Sequence, residues 1–264
     1  LPRAYLENLY DLEVAALDQG LPLENAKIFT ATSYRFNDTF CMYVALAEIN
    51  NTNKLFVIQH GGSYGMAKID SGEKLQRAIS NYYLTWGWEE DKKTVPVGIP
   101  KSIYKNKSKS PKKHEVLYVV MEFYRYKYYD VSGPTGPLWL DYQKLAEDGY
   151  KKLLSSSFDA LLRPKPMINS WQSIRRWSNI TSKIDLSSDF HKLCNESSIV
   201  IVTYNAGSYL ETISMNIPTI MFWDESMWGI RGQAIKLFRE LKEVGVFVST
   251  VDELSSSLSE AREI

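Results

Sequence analysis

Short apolar runs alternate along this chain with longer segments in which apolar residues recur every three to four positions. Runs of the first kind are typical of buried strands, and the longer spacing is typical of amphipathic helices. In the first part of the chain the pattern predicts strands at 26–31, 54–58, 82–86 and 94–98, and helices at 3–19, 38–49 and 72–80. Strands and helices that alternate in this way predict a parallel sheet with right-handed crossovers.

The alternation stops at 105–114, a polar and basic stretch without apolar residues that is predicted to be a linker. After it the pattern predicts strands at 115–121, 158–163, 198–203, 218–223 and 246–249, and helices at 140–154, 187–193, 207–215, 233–244 and 251–261. A loop with Trp171 and Trp177 is predicted after the second of these strands. We therefore expect an α/β protein with two Rossmann-like units: residues 1–106, an incomplete N-terminal domain, and residues 107–264, a complete C-terminal one.

Composition excludes several classes of function. Lys+Arg and Asp+Glu balance at 31 each, so overall charge gives no argument for nucleic acid as a partner. No apolar run approaches the roughly 20 residues that a membrane span requires. The chain begins without Met or a signal-peptide pattern, which suggests that it starts partway along a longer protein or has been processed. Cys41 and Cys194 lie far apart and form no ligand-spaced pair, so we expect free thiols and no metal site.

The stretch Gln59-His60-Gly61-Gly62-Ser63-Tyr64-Gly65 directly follows a predicted strand and is the strongest candidate for chemistry. Glycines let a backbone bend sharply and approach a ligand closely, and successive N–H groups can bind an anion. His60 is a candidate general acid or base, because its ordinary pKa lies near neutrality. Gln59 can both donate and accept hydrogen bonds. We predict a ligand-binding loop here.

A second candidate is the segment 203–211, Thr-Tyr-Asn-Ala-Gly-Ser-Tyr-Leu-Glu, which joins a strongly apolar strand to a helix. The free N–H groups and the positive end of such a helix favour phosphate binding. Glu211 is open to two interpretations, a cap in the first helical turn or an acceptor for ribose hydroxyls. The predicted nucleotide-binding residues of this segment are Thr203, Asn205, Gly207, Ser208 and Glu211.

Three further residues are candidates. Arg125 and Arg163 follow predicted strands at equivalent positions, where a guanidinium can bind phosphate or carboxylate through two hydrogen bonds. Asp38 stands at the start of the helix 38–49, where it or Asn37 caps the helix. The alternative for Asp38 is a catalytic carboxylate acting with His60 as base or nucleophile.

The segment 203–211, with Asn216-Ile-Pro-Thr-Ile-Met-Phe222 after it, resembles the nucleotide-binding strand, loop and helix of GT-B glycosyltransferases. Leu161-Leu-Arg-Pro164 resembles a strand end of capsule and teichoic-acid transferases, although Lys165 stands where their pattern has His. The Gln59–Gly65 motif together with Tyr83-Leu-Thr-Trp-Gly-Trp88 is similar to a bacterial family of surface-carbohydrate transferases related to retaining Kdo transferases.

This resemblance implies a cytoplasmic, metal-independent glycosyltransferase of lipopolysaccharide or capsule biosynthesis that uses no cofactor. Its donor would be a nucleotide sugar, with an ulosonic acid such as Kdo carried by CMP favoured. Its acceptor would be a glycan or glycolipid at the inner face of the membrane, which leaves peripheral membrane association open. Three alternatives remain: a CDP-glycerol-type phosphotransferase, a sugar-nucleotide epimerase, and a module that binds nucleotide without catalysis.

Overall fold

The computed structural model describes residues 7–31, 37–49, 52–99, 111–126, 130–165, 171, 173–187 and 189–262. Two compact units divide it: one contains Leu1–His60 and Gly72–Gly98, the other Gly61–Ser71 and Ile99–Ile264. The segment Gly61–Ser71 therefore groups with the second unit, although it precedes the predicted boundary at 106. That boundary lies outside the described residues, so the predicted division of domains stays a prediction.

The first unit is built on a parallel sheet of four strands in the order β1-β2-β3-β4. Its strands are β1 (Lys27–Thr30), β2 (Lys54–Ile58), β3 (Tyr82–Thr85) and β4 (Thr94–Pro96). Its helices are α1 (Leu9–Leu17), α2 (Asp38–Ile49) and α3 (Ser71–Ile79). Asn37 caps α2, since its Oδ1 accepts the N–H of Phe40 at 2.9 Å.

The two faces of this sheet differ in burial. On one face the side chains are buried except at the end of β4, where Pro96 is exposed; the buried ones are Ile28, Thr30, Leu55, Val57, Tyr83, Thr85 and Thr94. Strand order follows chain order without reversal, so right-handed crossovers place α2 and α3 on the same side of the sheet. The buried face is the one that such a helical layer can cover.

The second unit is a doubly wound parallel sheet of five strands in the order β6-β5-β7-β8-β9. Its strands are β5 (His114–Val120), β6 (Ala160–Pro164), β7 (Ser197–Val202), β8 (Thr219–Phe222) and β9 (Phe247–Val248). Its helices are α4 (Leu138–Ser155), α5 (Ser173–Trp177), α6 (Phe190–Asn195), α7 (Gly207–Ser214), α8 (Gln233–Glu243) and α9 (Val251–Arg262). The strand order reverses at β5, and a sheet of this kind binds ligands at the carboxyl ends of the strands beside that reversal.

The fold class predicted from sequence is confirmed, but two elements of the second unit differ from the prediction. Helix α5 lies within the predicted loop, because Trp177 is buried and packs edge-on against Tyr150 with ring centroids 5.9 Å apart. Helix α6 begins at Phe190 instead of residue 187, because Asp189 caps it by accepting the N–H of Lys192 at 2.9 Å. Tertiary packing and capping, which periodicity does not report, fix these bounds.

Two smaller findings complete the fold. Cys194 is fully buried, and burial raises the pKa of its thiol to about 12, whereas Cys41 is half-buried. None of the helices in the described ranges combines the length and apolar character that a membrane span needs.

Candidate functional site

The carboxyl ends of β5 and β7 meet at the point where the strand order of the second unit reverses. Thr203 ties these two ends together: its hydroxyl donates to the Val119 carbonyl at 3.1 Å and bonds the Tyr142 hydroxyl at 2.8 Å. Tyr142 in turn accepts the N–H of Met121 at 2.8 Å. Thr203 is buried, so its side chain stabilises the edge of the site and is not exposed on its surface.

Helix α7 begins directly beside this edge. Its N-cap residue, Ala206, has an extended backbone and no side-chain cap. The first N–H groups of a helix lack partners within the helix, and they carry its positive partial charge. Ser208 lies in this turn and bonds the Tyr204 hydroxyl at 2.7 Å, while Asn205 accepts from Tyr209 at 3.1 Å. The arrangement presents a helix end suited to an anion, on a loop that side-chain bonds hold rigid.

Arg163 is the most unusual group at this edge. It lies near the end of β6, only 9% of it is exposed, and its guanidinium lies 4.9 Å from the ring centroid of Phe190. Among the described residues no carboxylate forms an ion pair with it and no acceptor bonds its buried Nε. Burial raises the pKa of Tyr204, while its bond to Ser208 and the charge of Arg163 lower it. Arg163 therefore acts electrostatically on the loop that begins α7.

Glu211 forms a pair that the sequence did not reveal. Its Oε2 lies 3.0 Å from Nε2 of His191, on α6. Helix α7 begins at Gly207, which puts Glu211 in the second turn of the helix, so the expected first-turn cap is wrong. The only advance signal for His191 is its type, since the chain has 3 histidines.

The segment Gly61–Ser71 runs along the same region of the second unit. A Cβ on Gly62 would lie 2.4 Å from the carbonyl oxygen of Ala206 and 2.6 Å from the Cα of Gly207. A methyl group does not fit there, so glycine is required for the two backbones to come this close. The structure thus brings the two loops singled out in the sequence together at the start of α7.

Backbone hydrogen bonds fasten the rest of this segment. Lys68 donates its N–H to the Gly229 carbonyl at 2.8 Å, and Arg231 donates to the Met66 carbonyl at 2.9 Å. Ser132 donates to the Ile69 carbonyl at 2.7 Å. Because this segment is hydrogen-bonded to two separate parts of the second unit, it is an integral part of that unit.

The residues just before this segment belong to the first unit. Gln59 is buried, and its Oε1 accepts the N–H of Trp86 at 2.9 Å and the indole N–H of Trp88 at 2.8 Å. The side-chain amide of Gln59, in the motif at 59–65, is thus hydrogen-bonded by two residues of the motif at 83–88.

His60 and Asp38 lie at one edge of the first unit's sheet. His60 is exposed after β2, and Asp38 is exposed after β1 at the same edge of the sheet. Their catalytic roles stay predictions.

Arg125 lies in the loop after β5 and is exposed. Its guanidinium stands 5.7 Å from the ring centroid of Tyr126 and 5.6 Å from that of Trp171. Close by in sequence, the buried Glu122 carboxylate accepts from the backbone N–H of Ser173 at 3.2 Å and from its hydroxyl at 3.1 Å. Glu122 therefore holds the start of α5 against the end of β5.

Glu122 also makes stability depend on pH. Burial raises its pKa above the ordinary glutamate value, and the bonds from Ser173 oppose that rise only in part. The folded chain therefore holds this proton more tightly than the unfolded chain, so the contribution of Glu122 to stability is lost as pH rises from the ordinary value through the raised one. We expect the free energy of unfolding, measured with urea across mildly acidic pH, to fall with pH more in the wild type than in Glu122→Gln. Parallel pH profiles would contradict this expectation.

No group of three or more His, Cys, Asp or Glu side chains within the described ranges is arranged to hold a metal ion. A family model described as "LIC12162 family transferase" matches residues 1–263. No curated protein matches the chain.

Two solved structures share this fold. A candidate UDP-N-acetylglucosamine 2-epimerase from Listeria monocytogenes aligns with a TM-score of 0.53 and 10% identity, covering 96% of this chain and 68% of that one. The UDP complex of MnaA from S. aureus aligns with a TM-score of 0.56 and 10% identity, covering 97% and 69%. At this identity the likeness establishes the GT-B-like fold alone.

Proposed function

Because this chain belongs to the LIC12162 family of transferases, we propose that it transfers a sugar from a nucleotide donor to a glycan or glycolipid of the bacterial surface. The observation that carries this proposal is Arg163, a buried guanidinium that forms no ion pair with a described carboxylate and whose Nε has no acceptor, at the strand ends where α7 begins. A buried charge is costly unless an opposite charge compensates it. The phosphate of a nucleotide sugar would supply that charge.

In this proposal the second unit binds the donor. The phosphate lies at the N-terminal end of α7, against the backbone of Gly207 and the hydroxyl of Ser208, with Arg163 beside it. Glu211, held by His191, accepts the ribose hydroxyls. Arg125 supports a ring or a second anionic group. Thr203, Asn205 and Gly62 shape the pocket through the contacts described above.

Transfer forms a bond from an acceptor hydroxyl oxygen to the anomeric carbon and breaks the bond between that carbon and the phosphate oxygen, so negative charge develops on the departing nucleotide phosphate while the acceptor hydroxyl gives up its proton. A fixed guanidinium and a helix N-terminus stabilise that charge without a metal ion, which makes a metal-independent reaction part of the proposal. His60 is proposed as the acid or base of the reaction, and Asp38 as its carboxylate partner. Gly61 would present its backbone to the sugar. Catalysis would take place on the cytoplasmic side of the membrane.

For the donor we propose a CMP-linked ulosonic acid such as Kdo, on the strength of the motif at residues 59–65. The carboxylate of that sugar would be stabilised by a second positively charged side chain, and Arg125 is the candidate. The structural neighbours named for UDP and UDP-N-acetylglucosamine support the wider class of nucleotide sugars, and they leave the base open.

Nucleotide binding is expected to raise the melting temperature of the chain. At about 100 times the dissociation constant a ligand adds about 2.7 kcal/mol, which is a shift of about 5–10 °C for a chain of this size. We expect CMP to give this shift in differential scanning fluorimetry and Glu211→Ala to abolish it, because the ribose would lose its acceptor. Glu240→Ala, an exposed residue of α8, is the matched control and should keep the full shift.

The panel also separates the alternatives. A shift with CDP and not CMP would indicate a phosphotransferase of the CDP-glycerol type, and a shift with UDP alone would indicate an epimerase or another donor. Binding without turnover of any sugar nucleotide would favour a non-catalytic module. If no nucleotide produces a shift, the assignment of the second unit as a donor site is wrong.

A further inference from the structure

The outer face of the first unit's sheet is apolar and exposed. Phe29, Phe56 and Tyr82 are register partners on β1, β2 and β3. Their rings stack with centroids 4.5 and 5.1 Å apart and interplanar angles of 11° and 15°. Phe29 is nevertheless 64% exposed and Tyr82 39% exposed. We call these three side chains the aromatic row.

Other apolar side chains extend this face. Ile58, Leu84 and Val95 are register partners on β2, β3 and β4 and are half-buried. Parallel sheets almost always have both faces covered, yet α2 and α3 share the opposite side. The outer face therefore has the composition of an interface and lacks a covering layer among the described elements.

The charge on this face is one-sided. Lys27 and Lys54 are directly opposite each other in the register of β1 and β2, and both are exposed. Like charges at opposed strand positions repel each other. In the described part of the chain neither lysine has a carboxylate within ion-pair distance, so an acidic partner would relieve the repulsion.

The chain itself carries an element that matches this face. Tyr10, Val14 and Leu17 of α1 recur at helical spacing and form an exposed stripe. The other side of α1 packs against α2 and buries Ala16. A second apolar stripe, facing away from the packed side, is therefore available for another contact.

The charge of α1 complements that of the sheet face. The helix contains Asp11 and Glu13 and no basic residue. At 100° per residue these two carboxylates flank the Tyr10–Val14–Leu17 stripe on opposite sides. An apolar stripe with acidic flanks fits an apolar face with an uncompensated pair of lysines in both shape and charge.

We propose that the occupant of the outer face is a second copy of this chain, whose α1 lies across the aromatic row with its acidic flanks beside Lys27 and Lys54. Stacked rings present their edges outward, which suits packing against a helix more than stacking on a flat sugar ring. Each copy carries both surfaces. Reciprocal use closes a dimer, and one-sided use builds a chain of copies. The inference is independent of the proposed reaction.

A charge-exchange experiment tests it. Lys27→Glu/Lys54→Glu and Asp11→Lys/Glu13→Lys are each expected to weaken self-association more than about tenfold in sedimentation equilibrium, because like charges then meet. An equimolar mixture of the two variants should associate again, because in a mixed pair the acidic α1 meets the lysine face and the lysine-bearing α1 meets the glutamate face, so both contacts join opposite charges. Recovery in the mixture cannot come from a folding defect in either variant.

A second pair of variants tests the apolar part. Phe29→Ser is expected to weaken association about thirtyfold, as loss of a central aromatic contact does. Ile69→Ser, an exposed apolar position in the second unit, is the matched control and should leave association unchanged. A wild-type chain that stays monomeric at high concentration overturns the proposal. So does a monomer that sediments with phosphatidylglycerol vesicles, which would assign the face to lipid.

Discussion

Replacing Gly62 by alanine is expected to destabilise the chain by about 3 kcal/mol, the upper end of what overpacking costs. The new methyl group would meet the carbonyl oxygen of Ala206 at 2.4 Å and its carbonyl carbon at 2.5 Å. Both are backbone atoms at the start of α7, so no side chain can turn aside to make room. Either the segment Gly61–Ser71 leaves its place in the second unit or the first turn of α7 is displaced.

Gly61→Ala is the matched control for this experiment. A Cβ on Gly61 meets nothing within 4 Å, although the two glycines are neighbours in sequence. Urea unfolding should give a large loss for Gly62→Ala and a change within about 0.5 kcal/mol for Gly61→Ala. Hydrogen exchange of residues 61–71 should rise only in the first variant. Equal effects of the two substitutions would refute the close contact between Gly62 and α7.

Replacing Arg163 by methionine is expected to separate ligand binding from stability. The substitution removes a buried charge that has no ion pair among the described residues, so the unliganded chain should keep its free energy of unfolding or gain some. A guanidinium that bonds a phosphate contributes about 1.5–3 kcal/mol, so affinity for a nucleotide should fall about 10- to 100-fold. Calorimetric titration and urea unfolding measure the two quantities.

Arg176→Met supplies the opposite control in the same unit. Arg176 is paired with the buried Glu147 through its Nε and, at 3.2 Å, through Nη2. Its removal leaves a buried carboxylate without that partner, and we expect a loss of about 1–2 kcal/mol, less than for a fully buried pair because Arg176 is half-exposed. Nucleotide affinity should be unchanged. If Arg163→Met proves the more destabilising of the two, Arg163 is a structural residue and the donor site must be sought elsewhere.

Much of the fold could be predicted because periodicity and turn chemistry are local. The apolar runs at 115–121 and 198–203 predicted β5 and β7 within one residue of their observed ends. Helix α5 was missed because Trp177 stabilises it through packing against Tyr150, a residue 27 positions away in the chain. Local patterns carry no information about such a contact.

The candidate site divides in the same way. Residue type and position at or just after the end of a strand are the grounds on which the sequence proposes Arg163 and Gly62 as site residues, since parallel strands place their carboxyl ends together. The sequence could not say that Arg163 forms no ion pair with a described carboxylate, that the amide oxygen of Gln59 accepts from Trp86 and Trp88, or that His191 pairs with Glu211. Each of these facts depends on side chains that are distant in sequence.

By itself, then, the sequence determined the class of fold, the two groups of strands and the loops on which chemistry is to be sought. Those properties follow from short-range spacing of apolar residues and from the backbone freedom of glycine. Only the tertiary structure decided that residues 61–71 pack with the second unit and that one face of the first sheet is exposed. The physical reason is that burial and close approach are properties of pairs of surfaces, and the partner of each surface is set by the topology of the whole chain.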